Sequence, residues 1–180
     1  MSKLISGPAY VVEDNIDTDQ IIPAQYLMLV PTVPAEYAKL GSYAMCGLPD
    51  SLYPTRFVEP GQIKTKYPIL IGGKNMGCGS SREHAPIALG AAGCKVVIAE
   101  TFARIFFRNC VATGEVFPYD SVDSLNKVIK TGDHVEVDFE KDQLTCQGKV
   151  FKLKPLGDVR PVVEAGGIFK YARKVGMIPV

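Results

Sequence analysis

Apolar and polar positions divide the chain into a strand-bearing start, an alternating strand–helix middle and a β-rich tail. Ala9–Glu13 (AYVVE) reads as a short strand, followed by DNIDTDQIIP, a loop rich in turn-forming Asp and Asn that ends at Pro23. AQYLMLV predicts a short apolar turn of helix stopped by Pro31 and Pro34, and AEYAKLGSYAM a helix with Pro34 at its first position. Residues 47–66 carry three prolines and no period, so a long surface loop is expected there. YPILI (67–71) and KVVIAE (95–100) are continuous apolar runs of the kind buried on both faces of a sheet. Between them PIALGAAG predicts a small-residue helix ending at Gly93. TFARIFFRNCVA predicts a helix capped by Thr101, EVFPY a strand, and VDSLNKVIK a helix closed by Gly132. HVEVDFE alternates cleanly, and QLTCQ and KVFKL continue an antiparallel tail with turns at Lys141–Asp142 and Gly148. GGIFKYARKVGMI closes the chain as a small amphipathic helix. The order predicts one α/β domain with a mixed sheet over residues 1–180.

Bulk properties narrow the function classes. The 180 residues are 47% apolar and 22% charged, with a formal net charge of +1 and no clustering of either sign. That distribution lacks the basic footprint of a nucleic-acid binder. No apolar run approaches the length of a membrane span, and Met1 to Ser6 is too short for a signal peptide. Five cysteines, at 46, 78, 94, 110 and 146, show no C-x-x-C pair. Such spacing predicts reduced thiols and no iron–sulfur or zinc site built by this chain alone. Buried free thiols are the expectation for most of them; Cys78, inside a glycine-rich loop, stands apart.

That loop is IGGKNMGCGSSREHAP, residues 71–86. Glycine at this density carries an entropic cost, so something must approach the backbone closely. Three readings compete. A phosphate-binding loop lacks both the G-x-x-x-x-G-K-[ST] and the G-x-G-x-x-G patterns. A capping box from Ser80 to Glu83 would put Pro86 at the sixth helical position, where it removes a backbone bond; a helix beginning at Glu83 or later holds Pro86 in its first turn at little cost. The remaining reading is an anion-binding catalytic loop. Gly77 and Gly79 would turn N–H groups toward a ligand, Arg82 offers a planar fork for a carboxylate, and a serine in that field becomes a base.

Asp14, Asp17 and Asp19 form a second polar constellation. Turn capping suffices for the first two, whereas Asp19 sits just before the apolar QIIP, where a merely solvated charge is less expected. His134 begins an alternating strand and reads as inert. His84, beside Arg82 and Glu83, reads as a local hydrogen-bonding residue.

The two constellations, in this order, resemble the small subunit of 3-isopropylmalate dehydratase, in the aconitase superfamily. The resemblance rests on DNIDTDQIIP (14–23), GGKNMGCGSSREHAP (72–86), ETFARIFFRN (100–109), TGEVFP (113–118) and EAGGIFKYARKVGMIP (164–179). It implies a single swivelling three-layer β/β/α domain like the C-terminal domain of aconitase. It implies a heterodimer with a large subunit whose three cysteines carry a [4Fe–4S] cluster, with no metal or cofactor on this chain. Ser80 would be the catalytic base, Arg82 its support and the clamp on a substrate carboxylate, and Asp19 the residue completing the catalytic set. Gly79 and Ser81 would lie against the substrate, a 2-alkylmalate. Met76 stands where many relatives carry an aromatic residue, a departure that bears on loop packing. EYAKLGSYAMCGLP is most similar to the plant plastid form, which implies a mature chain of the chloroplast stroma without its transit peptide, or a cytoplasmic protein if the source is bacterial.

Aconitases place an arginine after the first-motif aspartate to hold citrate's third carboxylate. Here the stretch reads YLMLVPTVP, and Lys39 is the only basic residue between Asp19 and Arg56. Leu27, Leu29 and Val30 are therefore expected at a pocket for a hydrocarbon branch such as isopropyl. Related substrates, the methylthioalkylmalates and homocitrate, are the alternatives within this chemistry. An RNA-binding regulator and a non-catalytic anion-binding module are the alternatives outside it. No nucleic acid or membrane partner is expected.

Overall fold

A computed structural model describes residues 4–179; Met1 to Lys3, half of the stretch read for a signal peptide, lie outside the described residues. Seven strands form one mixed sheet in the order β4-β3-β2-β1-β5-β6-β7. They are β1 (Leu4–Val11), β2 (Ile69–Gly72), β3 (Val96–Ala99), β4 (Phe117–Asp120), β5 (His134–Asp138), β6 (Gln143–Cys146) and β7 (Lys149–Lys152). Strand β1 joins two kinds of pairing. Its Leu4–Pro8 half runs antiparallel to β5, and its Ala9–Val11 end runs parallel to β2. From β1 to β4 the sheet is parallel, and from β5 to β7 antiparallel.

The sheet curls until its two edges meet. Ser121 bridges Leu153, Lys154 N–H donates to Asp120 O at 2.8 Å, and Val122 N–H donates to Lys152 O at 3.2 Å. Alternate side chains therefore enter two separate cores. Ala9, Ile69, Ile71, Val96, Ile98, Tyr119, Val135 and Leu144 meet in one, while Tyr10, Leu70 and Val97 face the helices. Both faces of β2 and β3 are fully buried, which is why their sequences run apolar without alternation. Each such aliphatic side chain contributes about 1.5–3 kcal/mol on leaving water. Two sheet walls and one helical layer give the expected β/β/α arrangement.

The helices are α1 (Thr18–Ile21), α2 (Pro34–Ser42), α3 (His84–Ala92), α4 (Arg104–Thr113), α5 (Arg160–Glu164) and α6 (Ile168–Lys174). Pro34 opens α2 as the sequence predicts. Helix α3 begins at His84, so Pro86 falls in its first turn, and left-handed Gly93 ends it. Its alanines let α2 approach closely: a Cβ on Gly41 would lie 2.6 Å from the Ala91 carbonyl carbon.

Four expectations need correction. Strand β1 starts five residues earlier than the predicted Ala9 because Leu4–Pro8 pairs with β5, and Gly7 is tolerated within it because Pro68 packs where a Cβ would lie. Thr101 does not cap α4. Met76 N–H donates to Thr101 O and Ala103 N–H to Met76 O, which holds residues 101–103 extended, and the Thr101 hydroxyl accepts from Asn75 N–H at 2.9 Å. VDSLNKVIK forms only a 3-10 turn at Leu125–Lys127: Leu125 and Ile129 are buried, while Thr131 is drawn to β1 by the bond from Val11 N–H. Residues 47–66 lack regular structure as expected, yet they supply Leu48, Phe57 and Val58 to the core, and Thr55 O accepts from the Tyr10 hydroxyl. Helix α5, braced by an Arg160–Glu164 ion pair at 2.8 Å, was not anticipated.

The five thiols are free and unequally placed. Cys46 is exposed and Cys78 half-buried, while Cys94, Cys110 and Cys146 are buried. Burial pushes the Cys94 thiol up to about 12 and raises Cys110 well above its ordinary value. Under native conditions a soluble maleimide is expected to modify Cys46 first and Cys78 more slowly. The other three should react only on unfolding. Peptide mapping after timed labelling checks this order, and early modification of Cys94 or Cys110 would contradict the packing.

Candidate active site

Two loops cross at the carboxyl ends of the parallel strands. One follows β1 and contains residues 13–17 and helix α1; the other follows β2 and leads into α3. Their backbones pair: Gly77 and Cys78 N–H groups both donate to Ile16 O, at 2.7 and 3.2 Å, and Thr18 N–H donates to Cys78 O at 2.8 Å. Side chains fasten the outer parts. Asp14 Oδ1 accepts from Lys74 N–H, and Asn15 Oδ1 accepts from the Asn75 side-chain amide. Asp17 caps α1 in a reciprocal box with Gln20. Asp14 and Asp17 are thus the turn and cap residues their spacing suggests.

The glycines answer to this crossing. Gly77 has φ 76°, and a Cβ there would lie 2.1 Å from Phe106 Cγ. Phe106, from α4, is what approaches the loop at this point. Because the Gly77 N–H is spent on Ile16, the expectation that it faces a ligand does not hold. Gly79 has φ 96°, and its Cβ would come within 3.3 Å of Thr18 Oγ1. Beyond the crossing the loop opens: among the described residues, the N–H groups of Gly79, Ser81 and Arg82 have no protein acceptor. Asn109, buried on α4, donates its side-chain amide to Ser81 O at 3.0 Å. The Ser81–Arg82 peptide being trans, Arg82 N–H points away from Asn109.

Arg82 and Asp19 come together as predicted. Nη1 and Nη2 donate to the two carboxylate oxygens at 2.6 and 3.0 Å, and Nη1 also donates to Ile22 O at 3.2 Å. The Arg82 side chain is 17% exposed, against 57% for Asp19. This leaves Nε–H and the second Nη2–H, which share one edge of the guanidinium plane, for a second carboxylate. Ser80 is exposed, and its Oγ lies 3.1 Å from Thr18 Oγ1. Ser80, Arg82 and Asp19 thus lie together on the paired loops with N–H groups that have no protein acceptor among the described residues, an arrangement able to hold a carboxylate beside a hydroxyl.

The apolar segment wraps this surface. His84 Nε2 lies 3.2 Å from Leu29 O, which ties residues 24–30 to the start of α3. Leu27 is half-buried, Val30 is exposed, and Leu29 packs against the helical core with Tyr26. Met28, 82% exposed, is the apolar side chain of this segment most open to a ligand, and the sequence reading passed it over. Thr18 and Asn109 were also missed as site supports. Both lay inside quoted motifs, but nothing local marks a buried threonine or asparagine as touching a loop more than 25 residues away.

Residues 56–118 match the family described as the aconitase C-terminal domain, and the β/β/α layering with its carboxyl-end loop crossing puts the chain in that class of domain. The branch within the class comes from relatives matched over nearly the full chain. The chain is 61% identical to 3-isopropylmalate dehydratase small subunit 1 of Arabidopsis thaliana, over 98% of this chain and 72% of that protein. It is 40% identical to the isopropylmalate/citramalate isomerase small subunit of Methanocaldococcus jannaschii, over 97% and 96%. A crystal structure of a 3-isopropylmalate dehydratase from the same archaeon superposes with a TM-score of 0.78 at 36% identity, covering 97% of this chain and 96% of that one. This chain belongs to the family of 3-isopropylmalate dehydratase small subunits.

Hydrogen bonding from Arg82 holds the Asp19 carboxyl below its ordinary value. A depressed carboxylate stabilises the fold above its unfolded pKa, and that contribution disappears as pH falls through the lower folded value. NMR titration of Asp19 should therefore give a midpoint below 3.8. Arg82→Ala should return it toward that value while sparing the fold. An unchanged midpoint in Arg82→Ala would remove the ion pair from the solution structure.

Proposed function

We propose that this chain forms the small subunit of a heterodimeric 3-isopropylmalate dehydratase, which interconverts 2-isopropylmalate and 3-isopropylmalate through 2-isopropylmaleate in leucine biosynthesis. The single observation that carries this reading is the exposed Ser80 beside an Asp19–Arg82 pair with one guanidinium edge still free. In this reading Arg82 and the free N–H groups hold a substrate carboxylate, and Ser80 Oγ takes the proton from the adjoining carbon. The C–H electron pair becomes the new double bond as the neighbouring C–O bond breaks; rehydration reverses both changes at exchanged carbons, and Ser80 returns its proton. No oxidant or reductant is required.

Removal of the hydroxyl needs a Lewis acid. Among the described residues no three His, Cys, Asp or Glu side chains group as metal ligands, so this chain's donors do not fit a cluster. The reading assigns a [4Fe–4S] cluster to the large subunit, where it would supply Lewis-acid chemistry for loss of the hydroxyl. Likeness to the Arabidopsis relative supports a plant origin, and the reading assigns the plastid stroma as the compartment.

Co-expression with a cluster-bearing large subunit and assay of Ser80→Ala test the assignment. Turnover should fall by a factor of about 10² to 10⁴, the usual loss with a general base, with assembly intact. Ser81→Ala should cost less. Arg82→Lys should lower kcat/KM sharply, because a point charge does not reproduce the fork. Wild-type turnover in Ser80→Ala would end the reading.

Substrate choice follows from the segment bearing Leu27, Met28 and Val30. A carboxylate branch placed there would be desolvated without a cationic partner, at a cost of several kcal/mol. Citrate and homocitrate should therefore be turned over far more slowly than isopropylmalate. An apolar surface distinguishes chain length by only about 1–3 kcal/mol per methylene, so methylthioalkylmalates should retain measurable turnover. Assay across a malate series decides: preference for citrate or homocitrate would turn the segment away from the substrate.

A further inference from the structure

Thr18 lies against Ser80 with a hydroxyl that the backbone crossing does not use. It is 1% exposed, at the first position of α1, with its backbone N–H fixed on Cys78 O and its carbonyl accepting from Ile22 N–H. Its hydroxyl meets one residue twice: Ser80 N–H donates to Thr18 Oγ1 at 3.2 Å, and the two hydroxyl oxygens are 3.1 Å apart. Proton bookkeeping fixes the direction of the second bond. A buried hydroxyl must place its own proton on an acceptor, and Ser80 Oγ is the acceptor within reach. With the Ser80 N–H already directed at Thr18 Oγ1, the Thr18 O–H is free to donate to Ser80 Oγ. Ser80, which is exposed, then directs its own proton outward.

We infer that Thr18 is a positioning residue for Ser80, holding the serine oxygen with one donated hydrogen bond and its backbone with one accepted bond. This rests on the assignment of Ser80 as the base. A donor to the serine oxygen favours its deprotonated form, and two bonds to one residue limit its rotation. Gly79 is part of the same device, since any side chain there would press on the Thr18 hydroxyl. The crossing itself is made by backbone bonds from Gly77, Cys78 and Thr18, so the hydroxyl can be removed while those remain.

The test uses the complex with the large subunit. Thr18→Val removes the hydroxyl at nearly constant volume, Thr18→Ala removes it while leaving space, and Thr18→Ser restores it. Valine and alanine should lower kcat by about 10- to 100-fold with KM little changed, and should shift the acid limb of the kcat profile to higher pH. Serine should recover both. Adding Thr18→Val to Ser80→Ala should cost nothing further, because the threonine acts through the serine. An unmoved pH limb in the valine and alanine variants would overturn the inference, as would a loss that adds in full to that of Ser80→Ala. Failure of serine to rescue would do the same. Wild-type turnover in Ser80→Ala would remove the base assignment and this inference together, whereas an inactive Ser80→Ala beside unaffected Thr18 variants would remove the inference alone.

Discussion

The Ile16 carbonyl is the point on which the rest of this surface depends. It accepts from two consecutive N–H groups of the facing loop, and the chain returns two residues later when Thr18 N–H donates to Cys78 O. Both loops leave neighbouring parallel strands, so their roots are about 4.8 Å apart, and the crossing extends that pairing past the sheet edge. Asp19 and Ser80, distant in sequence, are thereby set at fixed height on one rigid platform. The site is built on main-chain pairing, with side chains added to it. That construction suits a reaction in which small errors of placement are costly.

Legibility in the sequence followed the physical range of each signal. Helices α2 and α3 were readable because Pro34, Pro86 and Gly93 act within one turn of their own positions. Strands β2 and β3 were readable because burial on both faces leaves an unbroken apolar run. The failures came where a distant partner overrode a local preference. Thr101 has the chemistry of a cap, but Met76 pairs with its backbone and Asn75 takes its hydroxyl. VDSLNKVIK has helical spacing, yet the pull of Thr131 toward β1 allows a single turn. Of the site, the charged and nucleophilic members were visible as residue types in a glycine-rich setting. The orientation of that setting was not: Gly77 makes room for Phe106, a fact written on α4.

Charge is distributed along the site in a way that assigns work to each member. Asp19 occupies one side of the Arg82 fork and Ile22 O one further hydrogen, so the guanidinium is held in place by the fold itself. A long flexible side chain loses much rotamer freedom when it binds, and here that cost is met during folding. The remaining donors have no protein acceptor among the described residues. The neighbouring apolar segment, tied at Leu29 to His84, gives the same surface a dry side.

The double pairing of β1 also bears on how the molecule is made. Leu4 faces Asp138, and Pro8 faces His134, so β1 waits for a neighbour synthesised only after β2, β3 and β4. At ordinary elongation rates of about 5–20 residues per second, that interval lasts on the order of ten seconds. During it β1 can pair with β2 but presents its other edge to solvent. An open edge of this kind is where nascent chains associate wrongly. Gly7, which weakens strand propensity, faces Val135 on that waiting edge. The glycine that obscures β1 in the sequence thus also makes it a poor template for a wrong partner until β5 arrives.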